Sequence, residues 1–109
     1  MTNVELIRQI AEMKGISEKM VILTPDYIIT LEEGCIKENS SLSKQGYSAY
    51  IKGTLYEDAD AFEDEAVYDS FAIPVYDYIS HMDKEEVLAL VVNKVYGIAD
   101  DLDEYQYAA

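Results

Sequence analysis

Between Gly53 and Asp83 the chain carries nine acids, Glu57, Asp58, Asp60, Glu63, Asp64, Glu65, Asp69, Asp77 and Asp83, and not one lysine or arginine. Carboxylates that repel one another with no counter-ion among them weaken whatever fold carries them, so the stretch asks for a reason outside the fold. A strongly basic partner is the plainest one.

The rest of the chain must supply the core. At 109 residues, half of them apolar, the sequence is long enough for one domain with a single modest core and too short for two. Eight Lys and Arg against 22 Asp and Glu leave a net charge of −14, more than a small domain needs to stay dispersed. Binding to nucleic acid phosphates or to an anionic membrane is disfavoured by the same charge. The opening Met1-Thr2-Asn3-Val4-Glu5-Leu6-Ile7-Arg8 lacks the basic start and apolar run of a signal peptide, and no later segment approaches a membrane span. A cytosolic location is expected. Cys35 stands alone, cannot form an internal disulfide, and is expected to be a buried, inert thiol.

Thr2 followed by Glu5 has the form of a capping box, and Leu6, Ile7, Ile10, Ala11 and Met13 continue at helical spacing until Gly15 offers a stop. Lys19 to Leu23 reads as a short strand cut by Thr24-Pro25-Asp26. Residues 26–36 admit two readings: a helix punctuated by Thr24, Pro25 and Gly34, or a strand through Tyr27-Ile28-Ile29-Thr30-Leu31, whose β-branched and aromatic residues favour the strand. That strand is expected to pair, across the polar loop Asn39 to Gly46, with Tyr47 to Tyr56. Glu57 to Asp69 is a loop or a weakly amphipathic helix, anchored only by Ala59, Ala61, Phe62, Ala66 and Val67. Phe71-Ala72-Ile73 is a candidate short strand, and Pro74 suits the first turn of a helix through Tyr78 and Ile79. Asp83 caps a second clear helix, Lys84 to Tyr96, with Val87, Leu88, Leu90, Val91 and Val95 facing the sheet and Gly97 closing it. The expectation is an α+β fold, a small antiparallel β-sheet packed against two or three α-helices. Residues 1–97 form one domain and 98–109 an acidic C-terminal tail.

No catalytic set accompanies the acids. His81 is the sole histidine and sits in a polar junction, where a surface or capping role is usual. Neither a nucleophile signature nor a phosphate-cradling glycine loop appears, so no catalytic, cofactor or metal residues are assigned. The run from Asp58 to Glu65 begins like a calcium loop, yet Phe62 stands where an oxygen ligand belongs and the turn-making glycine is missing.

Tyrosine is threaded through the acids: Tyr56-Glu57-Asp58, Tyr68-Asp69, Tyr76-Asp77-Tyr78 and Glu104-Tyr105-Gln106-Tyr107. Tyrosine is enriched at interfaces and stacks on arginine, while neighbouring carboxylates accept from the same guanidinium groups. The bland alternative is a solvated acidic face, with Tyr27, Tyr47, Tyr50 and Tyr96 as packing residues. Acid adaptation to salt would spread the charge evenly, whereas here the bases stop at Lys52 apart from Lys84 and Lys94. The asymmetry favours a patch. Its members are Glu57, Asp58, Asp60, Glu63, Asp64, Glu65, Tyr68, Asp69, Tyr76, Asp77 and Tyr78, with Asp100, Asp101, Asp103 and Glu104 as an extension.

Small size, a charge of −14, one cysteine and blocks such as Glu57-Asp58-Ala59-Asp60 and Asp100-Asp101-Leu102-Asp103-Glu104 resemble the acidic DNA-mimic inhibitors of phages and plasmids. These include anti-restriction and anti-CRISPR proteins and inhibitors of uracil-DNA glycosylase. The similarity lies in composition and in charge layout over the second half of the chain. It implies a partner that is a host nuclease or surveillance complex, blocked in its DNA-binding channel. An antitoxin or regulatory subunit masking a basic protein, and a small metal-binding domain, are the other readings; a homodimer stays open.

Overall fold

Reciprocal hydrogen bonds open the first helix: the Thr2 hydroxyl accepts from the Glu5 N–H and the Glu5 carboxylate accepts from the Thr2 N–H, each at 3.2 Å. This is the capping box expected from Thr2 and Glu5, and α1 runs Asn3–Met13. It stops at Gly15, whose φ of +71 is left-handed. There the N–H of Gly15 donates to Glu12 and that of Ile16 to Ala11, satisfying the helix's last carbonyls. The computed structural model describes residues 2–96 and the strand at 106–107.

A 3-10 turn at Glu18–Met20 leads into β1, Val21–Leu23. The ambiguous segment is a strand, β2, Ile28–Cys35. The punctuation that also suited a helix is used by a hairpin turn instead. The Thr24 N–H donates to the Tyr27 carbonyl at 2.9 Å, and the Thr24 hydroxyl accepts from the Tyr27 N–H at 2.9 Å, closing the turn over Pro25 and Asp26. β3, Ala49–Tyr56, pairs with β2 along its whole length, from Ile28 opposite Tyr56 to Cys35 opposite Ala49. Within the polar loop before it, Ser40 caps a single turn, α2, Ser41–Lys44.

After α3, Ala59–Glu63, the chain forms β4, Asp69–Val75. Pro74 is therefore inside a strand, opposite Tyr50, and not in the first turn of a helix. An edge strand tolerates proline because its outer side needs no N–H donor. The helix expected through Tyr78 and Ile79 is only a 3-10 turn, Ile79–His81, whose first N–H donates to Glu33 Oε2 at 2.8 Å. α4 spans Lys84–Tyr96, and β5, Gln106–Tyr107, pairs beside β1. The sheet order is β4-β3-β2-β1-β5, antiparallel throughout.

Strand alternation sends the two sets of side chains to opposite faces. Ile22, Ile29, Leu31, Ile51, Leu55 and Val75 pack under Val87, Leu88, Val91 and Val92 of α4. Across the sheet, Val21, Ile28 and Tyr56 meet Ile7, Ile10 and Ala11 of α1 and Phe62 of α3. The fold is thus α+β, an antiparallel sheet with helices on both faces. Cys35, at the end of β2, is exposed and not buried, its sulfur 3.3 Å from the Tyr78 hydroxyl.

Candidate functional site

The densest acids lie on α3 and its flanks because one aromatic residue pins that short helix down. Phe62 is 1 % exposed and packs on Tyr56, with ring centroids 5.5 Å apart. Asp58 caps the helix, accepting from the Ala61 N–H at 2.8 Å. Lys14, from the end of α1, donates to the Phe62 carbonyl at 3.1 Å and pairs with Glu65 at 3.5 Å. The ammonium also lies 5.4 Å from the centre of the Phe62 ring. Asp58, Lys14 and Glu65 thus have structural work, which a view of the block as wholly without internal support did not anticipate.

Glu57, Asp60, Glu63 and Asp64 are exposed, and among the described residues their carboxylates make no hydrogen bond or ion pair. Asp69 accepts from the Ser70 N–H at 2.8 Å. Tyr68, 55 % exposed, stacks on Tyr27 with ring centroids 5.4 Å apart, and the Tyr96 ring lies 6.4 Å from that of Tyr27. The Tyr96 hydroxyl reaches both Thr24 Oγ1, at 3.0 Å, and Asp26 Oδ2, at 3.3 Å. Partial desolvation raises the Tyr27 phenol above its ordinary value, followed by the influence of Tyr68, Asp26 and Glu57.

Asp26, Tyr27 and Tyr96 therefore belong beside the acids, although the sequence assigned the two tyrosines to packing and gave Asp26 no role. The missed signal was the Thr24-Pro25-Asp26 turn itself. In an antiparallel sheet, the turn from β1 to β2 and the connection from β3 to β4 fall at the same end.

Tyr76, Asp77 and Tyr78 fall at the opposite end. β4 lies between the two groups, and seven residues of strand at about 3.3 Å each extend roughly 20 Å. Tyr76 is 68 % exposed and stacks on Tyr47 at 4.6 Å, while Tyr78 is half-buried against the α4 side of the core. The Asp77 carboxylate accepts from the Tyr78 N–H and lies 2.8 Å from His81 Nδ1. These bonds, that with His81 foremost, hold its carboxyl below the usual carboxylate value. The single patch read from sequence is two clusters. Asp100, Asp101, Asp103 and Glu104 lie outside the described residues.

Among the described residues no group of three His, Cys, Asp or Glu side chains is placed to hold a metal ion, and no helix is long and apolar enough to cross a membrane. Compared with protein-family models, curated proteins and solved structures, the chain has no significant match.

Proposed function

We propose that the protein is an acidic inhibitor that occupies the basic nucleic-acid-binding groove of a host defence nuclease, of anti-CRISPR or anti-restriction type, with carboxylates in place of DNA phosphates. The observation that supports this reading is the group of exposed carboxylates Glu57, Asp60, Glu63 and Asp64, on or flanking a short helix anchored to the core by Phe62. From Glu57 to Glu65 the chain holds six acids in nine residues. Tyr68, exposed at the same end of the sheet and stacked on Tyr27, supplies an aromatic surface for the partner's arginines.

The partner is accordingly a basic protein and not nucleic acid or membrane. The test is competition. The protein is expected to displace DNA from a purified basic nuclease, with an affinity that falls steeply as salt rises. Changing Glu63, Asp64 and Glu65 together to Ala should weaken it by roughly tenfold or more. Binding that ignores salt, or that survives the triple change, rejects the reading. The three-tyrosine cluster Tyr27, Tyr68 and Tyr96 favours a second reading, an interaction module that masks a basic toxin or enzyme away from its DNA channel. In that case the complex forms and DNA does not compete.

A further inference from the structure

A cleft of about 420 Å³ opens where the Pro25–Asp26 turn, α1 and the start of α3 meet. Its floor is apolar, with the half-buried Leu6 and Leu23 beside Ile28. Its rim carries Asp26, Glu57 and Asp60, and Tyr27 forms one wall. Asp58 also borders it, but its carboxylate is engaged in capping α3.

The acids surround the opening without converging on a point, since among the described residues no three carboxylates approach closely enough to hold a metal ion. A compact cation therefore finds no coordination shell there. A long side chain with an apolar stem and a broad, delocalised charge meets every wall. We propose that the cleft receives an arginine side chain presented by the basic partner, its methylenes on Leu6 and Leu23 and its guanidinium spread across Asp26, Glu57 and Asp60 beside Tyr27. This deepens the inhibitor reading and rests on it.

Arginine suits the cleft better than lysine. Guanidinium is planar, weakly hydrated and carries several donors in fixed directions, so it can serve carboxylates on separate segments and lie against an aromatic ring. Ammonium is a strongly hydrated point charge that satisfies one of those carboxylates at a time. The rim repels any anionic occupant.

The experiment is a titration of the full chain, at fixed ionic strength, with a short oligo-arginine peptide and an oligo-lysine peptide of equal length, following the methyl resonances of Leu6 and Leu23. Saturable shifts of those methyls are expected, with the arginine peptide bound several-fold more tightly. Glu57→Gln combined with Asp60→Asn should weaken the arginine peptide roughly tenfold. Glu85→Gln combined with Glu86→Gln removes the same charge from exposed positions at the start of α4, away from the cleft, and should cost no more than about twofold. Circular dichroism verifies that both variants are folded. Equal losses in the two variants, unmoved methyls, or a response to calcium ions alone would overturn the cleft, while competition with DNA could still uphold the inhibitor reading. Seating of arginine as described, together with failure to compete with DNA, would uphold the cleft and reject that reading.

Discussion

Lys14 reaches across 48 positions of sequence to the Phe62 carbonyl and so fixes the end of α3 to the end of α1. Its side chain is 23 % exposed, against 78 % for its ion-pair partner Glu65, so the bond to the carbonyl outweighs the surface pair. Lys14→Ala is expected to lower stability by about 1–2 kcal/mol, and Glu65→Ala by no more than about 0.5 kcal/mol, both read from urea unfolding midpoints. Equal losses would show that the ion pair carries the contact. Asp77 makes a prediction about pH. Its folded carboxyl ionises more readily than the ordinary value of 3.8, so it contributes stability that is present above that value and is lost as pH falls through the lower folded value. Asp77→Asn should flatten the acid limb of the stability curve below that point; an unchanged limb would mean the contact with His81 has no thermodynamic weight. Neither Lys14 nor His81 could be assigned its partner from sequence, except that His81 lies four residues from Asp77.

Among the elements, the strands are matched by aromatic rings laid over glycines on the neighbouring strand. Gly53 lies opposite Phe71 and Gly34 opposite Tyr50, and a Cβ at either glycine would overlap the facing ring. The two pairs differ in what holds the ring. Phe71 is on the α4 side, packed against the core. Tyr50 is 37 % exposed on the part of the opposite face that α1 and α3 leave open, and can swing into solvent. Gly53→Ala should therefore cost roughly 2 kcal/mol or more, and Gly34→Ala under about 1 kcal/mol, by thermal or urea unfolding. Comparable costs would contradict this account. α1, β2, β3 and α4 were legible because capping pairs, β-branched runs and apolar periodicity are local signals. Pro74 was misread because helix starts and edge strands both tolerate proline, and only the pairing of β4 on β3 distinguishes them.

For the whole molecule, a net charge of −14, with six of the 22 acids packed between Glu57 and Glu65, opposes folding through self-repulsion. Raising salt from about 10 mM to about 0.5 M shortens the screening length from about 30 Å to under 10 Å. The free protein should then melt roughly 5 °C higher, although the same salt weakens its grip on a basic partner. A melting point that falls with salt would show that attractive pairs, such as Lys14 with Glu65, outweigh the repulsion. The opposing responses separate what the acids cost the fold from what they offer a partner.

The sequence by itself determined the helices with clear caps, the β2–β3 pairing, the sign and size of the charge, and the stretch without bases, because each depends on residues close together in the chain. Which acids share a surface was decided only by the tertiary structure. The antiparallel strand order brings Asp26 and Tyr27 to the end of the sheet that carries Glu57 to Asp69, the end of α4 adds Tyr96 through its contact with Tyr27, and Tyr76, Asp77 and Tyr78 fall at the other end. Lys14 becomes a support for the acidic helix only because α1 and α3 pack on the same face. Contacts of that kind follow from strand order and packing, and no local pattern encodes them.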